Sequence, residues 1–173
     1  MVILIGGASH TGKTLLAQRI LETHHIPYLS MDHLKMGLIR SGQTNLTVLD
    51  DDALTDYLWP IVREMVKTAI ENKQNLVVEG CYIPHSWRED FSYEYLKDIR
   101  CRFLVMTSRY IHSNFRDIQA HACDIEARLD DSWISVEALI RENDRNYRRC
   151  LEHGCEMILL DRGYHVDPEV LFS

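Results

Sequence analysis

The stretch VILIGGASHTGKTLL, Val2–Leu16, decides how the rest of the chain is read. Val2 to Ile5 is a continuous apolar run, the pattern of a short strand covered on both faces. Gly12 to His24 then reads as a helix, with Leu15, Leu16, Ile20 and Leu21 among its apolar positions. Between the two, Gly7-Ala8-Ser9-His10-Thr11-Gly12-Lys13-Thr14 fits G-x-x-x-x-G-K-[ST], in the strand–turn–helix context that this pattern requires. Glycine lets a backbone turn without a Cβ in the way, so several N–H groups can converge on one anion. The start of the helix adds partial positive charge. Lys13 is in reach of β- and γ-phosphates, and the Thr14 hydroxyl can take one position on Mg²⁺. Gly7, Ala8, Ser9, His10, Thr11, Gly12, Lys13 and Thr14 are therefore the candidate nucleotide-binding residues, and ATP and Mg²⁺ the expected cofactors. His10 reads as a variable loop position rather than a base.

Downstream, short apolar runs alternate with helical patterns. Pro27 to Leu29 reads as a second strand, followed by a loop and short helix in SMDHLKMGLIRSG that ends at Gly42. Asp50 to Asp52 are capping residues for a helix carrying Leu54, Leu58, Ile61, Val62, Met65, Val66, Ala69 and Ile70 at helical spacing. Pro60 is expected to kink that helix or start a second one. Leu76-Val77-Val78 is a third strand ending at Glu79-Gly80, and residues 101–106 a fourth. Residues 109–132 are polar and Arg-rich. A helix from about Ile134 to His153 is stopped by Gly154, and Met157 to Leu160 is a fifth strand. This alternation implies an α/β domain with a mostly parallel sheet. Ligands in such sheets sit beyond the carboxyl ends of the strands, where the glycine loop, Asp32, Glu79 and Asp161 all fall.

The 173 residues fit one domain, and 46% of them are hydrophobic, enough for a real core. Nineteen basic against 26 acidic residues give a formal charge of −7, which argues against charge-driven binding to nucleic acid or anionic membranes. No run approaches the ~18 apolar residues of a membrane span, and MVILIGGASH lacks the basic start of a signal peptide. Five cysteines without C-x-x-C spacing suit free thiols in a reduced, cytoplasmic setting. A GTPase would need N-K-x-D; Asn72-Lys73-Gln74-Asn75 lacks the aspartate and reads as a turn.

With these residues in place, the sequence resembles the family of small P-loop kinases. The family includes adenylate, shikimate and gluconate kinases, chloramphenicol phosphotransferase and 2-phosphoglycerate kinase. The string NLVVEGCYIP is most similar to the 2-phosphoglycerate kinase branch. The resemblance covers most of the chain in its order of elements, and the glycine loop is its strong motif. It implies a three-layer fold on a five-stranded parallel sheet of order 2-3-1-4-5. It also implies an acceptor-binding segment at about 31–60 and a helical lid at about 109–132.

Asp32, at the end of strand two, is positioned to orient or deprotonate an acceptor hydroxyl, to hold Mg²⁺ through water, or simply to cap the helix that follows. Glu79 is expected to hold Mg²⁺-bound water or the acceptor; Asp161 ranks behind it because an edge strand lies further from the phosphates. Lys35, Arg40 and Arg88 are each as well explained by surface charge as by anion binding. Lys35 and Arg40 do not share a helix face, so one of them at most is expected in the cleft. Phosphoryl transfer spreads negative charge that guanidinium groups neutralise. Arg109 or Arg116, with Arg141 or Arg145, is expected to reach the site, and Lys13, Asp32, Arg109, Arg116 and Arg141 form the catalytic set. The expected activity is transfer of the γ-phosphoryl of ATP to a small hydroxylated metabolite, by a monomer or homodimer. The alternatives are a nucleoside monophosphate kinase and a nucleotide-binding regulatory module without transfer.

Overall fold

The computed structural model describes residues 1–120, 135–164 and 166–172. Their elements follow the order β1 (Val2–Gly7), α1 (Lys13–His24), β2 (Tyr28–Ser30), α2 (Met31–Arg40), α3 (Asp51–Glu71), β3 (Leu76–Glu79), α4 (Tyr93–Leu96), β4 (Ile99–Met106), α5 (Ser108–Ala120), α6 (Val136–Glu152) and β5 (Met157–Leu160). The strands form one parallel sheet of order β2-β3-β1-β4-β5. No helix among the described residues is long and apolar enough to cross a membrane.

The apolar run of β1 has its reason in this order. β1 lies between β3 and β4, and all six of its residues are buried. Val2 and Leu4 join the core on one face, with α3; Ile3 and Ile5 join the core on the other, with α1. A central strand covered twice has no solvent side, so its sequence does not alternate. β4 starts two residues before the apolar run does, because Ile99 already pairs with Val2. The Arg102 guanidinium interrupts the apolar pattern there, held by Glu156 at 2.7 Å and by the Cys101 carbonyl at 3.1 Å.

The segment after β2 is helical from Met31 onward rather than part loop. α3 runs unbroken through Pro60, so neither a kink nor a second helix forms there. Pro60 is on the exposed side, where water can serve the carbonyl that its missing N–H leaves over. Leu54, Leu58, Val62, Val66 and Ala69 make the buried stripe of α3 at helical spacing. α6 ends in a Schellman turn: Cys155 N–H reaches the Cys150 carbonyl at 2.8 Å across Gly154, whose φ is 62°. The expected lid falls partly on α5; residues 121–132 lie outside the described residues.

Two contacts set the geometry of the sheet's upper edge. Gly80 leaves room for Met31, since a Cβ on Gly80 would sit 2.7 Å from the Met31 Cβ. α2 can therefore begin hard against the end of β3. On the other side, buried Asn143 of α6 accepts from Met106 N–H at 2.9 Å and donates to the Leu139 carbonyl at 2.9 Å. This pins the rotation of α6 over the end of β4.

Gly80→Ala is expected to cost about 1–3 kcal/mol, the range for overfilling a packed contact. Gly37→Ala, at a helical position with nothing within 4 Å, is expected to add about 0.5–1 kcal/mol. Urea unfolding of both variants checks the pair; equal effects would refute the packing account.

Candidate active site

The glycine loop leaves β1 at Gly7, whose φ of 137° and whose approach to the Leu104 carbonyl (2.5 Å from where a Cβ would stand) exclude a side chain. It enters α1 at Gly12, again with positive φ, at 80°. Tyr164, beyond β5, donates its hydroxyl to the Gly12 carbonyl at 2.7 Å. Burial raises the Tyr164 pKa to about 12, so the phenol remains a donor at neutral pH. Inside the loop, the Ala8 carbonyl accepts both the Lys13 ammonium at 2.7 Å and the Thr11 hydroxyl at 2.9 Å. The Ser9 N–H holds an anionic oxygen, that of Glu142, at 3.1 Å. α1 has no acidic residue in its first turn and no side-chain cap, whereas α2, α3 and α6 each carry an acid there. The positive end of α1 is thus left to whatever anion the loop receives.

Two carboxylates stand beside this loop. Glu79 ends β3 in register with Ile5 of β1 and Ser30 of β2, and is 1% exposed. Asp32 lies in the first turn of α2 and forms an ion pair with Lys35. Lys35 also donates to the Tyr82 hydroxyl at 3.0 Å, and Tyr82 donates to Asp51 at 3.2 Å. Burial, then the Asp32 and Asp51 charges, push the Tyr82 pKa above the ordinary tyrosine value, so Tyr82 stays a neutral donor. For Lys13, burial alone would lower the pKa; Cys81, Glu79 and Asp32 more than offset it, leaving it above the ordinary lysine value. Lys13 is therefore a charged ammonium in a 6% exposed position. The Cys81 sulfur stands 3.9 Å from the Ser9 hydroxyl, and desolvation of the thiol, then Asp32 and Glu142, raise its pKa against the opposing pull of Lys13.

These groups open onto one cleft of about 990 Å³. Ser9, Lys13, Thr14, Asp32 and Glu79 line it together, from the ends of β1, β2 and β3. Lys35 and Arg40 both line it as well, although at most one was expected; with Asp32 and Met36 they occupy positions i, i+3, i+4 and i+8, one broad side of α2. Of the expected arginines, Arg145 borders this cleft and Arg109, Arg116 and Arg141 do not. Arg109 is exposed and lies 3.9 Å from Asp161, Arg116 is exposed on α5, and neither borders the cleft. Arg141 is exposed and also outside it. The helix phase fixed by Leu139, Asn143 and Cys150 turns Glu142, Arg145, Asn146, Arg149 and His153 to the cleft. Arg141 is rotated by about 100° from Glu142 and faces solvent. Arg145, the alternative to Arg141, does line the cleft, and so does Arg149. Arg88 instead donates to the Gly154 carbonyl at 3.0 Å, and Asp161 accepts from the Thr107 hydroxyl at 3.0 Å.

His85 and Tyr164 were not named from sequence; Arg149 was one of several candidate arginines on that helix, and Glu142 was read as a surface partner for them. Each reaches the site across a long separation, 133 positions for Glu142 and Ser9, 152 for Tyr164 and Gly12. The one usable signal was the spacing of Glu142, Asn146 and Arg149 on a single helix face.

Three solved structures are similar in fold over nearly the whole chain. A protein of Chloroflexus aurantiacus regarded as a kinase is similar over 98% of this chain and 92% of its own, at 16% identity and a TM-score of 0.53. A sugar kinase from Janibacter matches 98% of this chain and 88% of its own, at 15% identity and a TM-score of 0.51. Deoxyadenosine kinase from M. mycoides matches 99% and 94%, at 12% identity and a TM-score of 0.53. The chain has the P-loop kinase fold. No protein-family model matches the sequence, and no curated protein does.

Within this kinase fold, His85 of the β3–α4 connection stacks on Phe103 with ring centroids 4.6 Å apart and meets Asn146 at 3.2 Å. Burial, then Arg149, lower its pKa to about 4. The unfolded chain, with an ordinary histidine value near ~6.5, binds more protons between those two values. Stability contributed by neutral His85 is thus lost as pH falls from about 6.5 toward 4. His85→Phe is expected to flatten the fall in melting temperature between pH 6.5 and 4.5; an unchanged slope would contradict this.

Proposed function

We propose that this protein is an ATP- and Mg²⁺-dependent kinase that phosphorylates a hydroxyl group on a small acceptor. The observation that carries the reading is the meeting of Lys13, Thr14, Asp32 and Glu79 around one cleft at the ends of the adjacent strands β2, β3 and β1. The neighbours described as a sugar kinase and a deoxyadenosine kinase support hydroxyl acceptors on this fold.

In this proposal the amides of Gly7 to Thr14 cradle the polyphosphate, and the start of α1 faces it with no acid in its own first turn. Lys13 is a permanent cation at neutral pH, fixed by the Ala8 carbonyl and so already placed where charge develops. The oxygens of Thr14, Asp32 and Glu79 are the hard donors that Mg²⁺ takes, one or two carboxylates completed by phosphate and water, so the residues present fit that ion. When bound, Mg²⁺ supplies neutralisation of the phosphate oxygens. Asp32 orients the acceptor hydroxyl and accepts its proton, and Lys35 holds that carboxylate in place through the ion pair. Tyr82 fixes Lys35 in turn. Arg145 is the α6 arginine one turn from the glycine-loop contact, and takes the role first given to Arg141.

A nucleoside monophosphate acceptor is the weaker alternative, because a phosphate nucleophile needs no base and Asp32 would be idle. A regulatory module without transfer would need neither Asp32 nor Arg145.

Lys13→Ala is expected to lower kcat by about 10²–10³-fold, the effect of losing one placed electrostatic donor. Asp32→Asn is expected to lower it by about 10²–10⁴-fold with MgATP affinity retained. ADP release across a panel of hydroxylated acceptors, with calorimetric titration of MgATP, measures both. MgATP binding without acceptor-dependent ADP release in the parent protein would favour the regulatory module.

A further inference from the structure

The proposed reaction uses the glycine loop but leaves one of its contacts without a task. Tyr164, which follows β5, donates its hydroxyl to the Gly12 carbonyl at 2.7 Å. That oxygen already has a donor, the Leu16 N–H at 3.0 Å, which closes the first turn of α1. The helix therefore does not need the phenol to satisfy this carbonyl. The ring itself packs on Gly12: a Cβ there would stand 2.6 Å from its Cζ. Arg19 of α1 lies over the same ring, 5.6 Å from its centroid. The segment that carries Tyr164 is fastened on both sides. Before it, Leu160 is buried and its carbonyl accepts from Thr107 N–H at 3.0 Å. After it, Val166 and Leu171 are buried in the core shared with α1.

The effect of that contact follows from the shape of a peptide. Gly12 is the N-cap of α1 and Lys13 its first residue, joined by a planar trans bond. In such a unit the C=O and the N–H point in opposite directions. The Gly12 carbonyl points down the helix toward Leu16. The Lys13 N–H therefore points out of the helix start, one of the N–H groups that have no partner within the helix. Fixing the oxygen fixes the aim of that N–H. Gly12 is where fixing matters, because glycine at a φ of 80° has other conformations open to it, each of which turns this peptide. A second donor on the carbonyl also polarises the peptide and strengthens its N–H. With its pKa raised to about 12 by burial, the phenol keeps its proton at neutral pH.

We infer that Tyr164 is a positioning residue for the phosphate cradle: through the Gly12 carbonyl it aims the Lys13 amide at the bound anion. It touches no reacting atom. The assignment of that anion to a nucleotide rests on the kinase reading; the aiming of the amide does not. The effect runs through phosphate and not through the base, so Tyr164 acts alike on a nucleotide and on a bare polyphosphate. A residue 152 positions from Gly12 thereby shares in the work of the glycine loop.

The test compares the full chain with Tyr164→Phe, which keeps the ring and removes the hydroxyl. Calorimetry follows MgADP and, separately, magnesium tripolyphosphate. Both should bind about two- to tenfold more weakly in Tyr164→Phe, the scale of one neutral hydrogen bond. By NMR, the Lys13 amide proton should move downfield when the parent protein binds either anion, and less far in the variant. In the acceptor panel, KM for MgATP should rise while KM for the acceptor stays the same. A lower urea midpoint with both affinities unchanged would make Tyr164 structural only, overturning this inference and leaving the kinase standing. Weaker MgADP binding with tripolyphosphate binding unchanged would put Tyr164 at the nucleoside and overturn it as well. Binding of tripolyphosphate that depends on Tyr164, in a parent protein that does not bind MgADP, would overturn the kinase and leave the positioning role. The parent protein alone gives a second check: a Lys13 amide proton that responds to neither anion overturns the inference, whether or not the variant folds.

Discussion

A buried ammonium is the constraint around which the site is built. Lys13 is almost fully enclosed, and an isolated charge in that position would be strongly unfavourable. It is tolerated because the loop supplies the Ala8 carbonyl and because Glu79 and Asp32 lie close by. Those three partners come from different parts of the chain, and only the order β2-β3-β1 brings them together. The sheet order is therefore an electrostatic requirement as much as a packing result. The same partners keep the lysine protonated, which is the state that a polyphosphate recognises.

The second wall of the cleft depends on a neutral contact. Asn143 is buried, and its amide is used at both ends, by Met106 N–H and by the Leu139 carbonyl. A buried amide with both functions satisfied admits one rotation of the helix, whereas an apolar residue there would tolerate several. That rotation decides which arginines serve the cleft. It sets Arg145 and Arg149 along the cleft and leaves Arg141 outside it, although all three are exposed and have the same side chain.

Much of this was legible in the sequence where the signal was local. The apolar run of Val2–Ile5, the glycine loop and Leu76-Val77-Val78 before Glu79 depend on neighbours within a few positions, and their placement follows from the strand–turn–helix grammar. The start of β4 was harder to see, because Arg100 and Arg102 break an apolar pattern whose polar groups are satisfied from elsewhere. Pro60 misled for a similar reason: whether it breaks a helix depends on which side faces water. The choice between Arg141 and Arg145 turns on the phase of α6, which is set by Asn143 and so by a contact with β4, 37 positions away. Local chemistry predicted the types of residue the site needs; tertiary contacts select the individuals.

The Ser9–Glu142 hydrogen bond joins the two walls. One N–H donor serves one strong acceptor at a time, so a phosphate oxygen arriving at Ser9 and the Glu142 carboxylate compete for the same proton. Two anionic groups at that point would also repel each other across a short distance. Occupation of the loop by a polyphosphate therefore bears on α6, through the same helix that carries Arg145 and Arg149. Asn143, one residue from Glu142, resists any large rotation, so the adjustment falls on the Glu142 side chain rather than on the helix. The geometry in this way separates a movable carboxylate at the loop from a fixed pair of guanidinium groups beyond it.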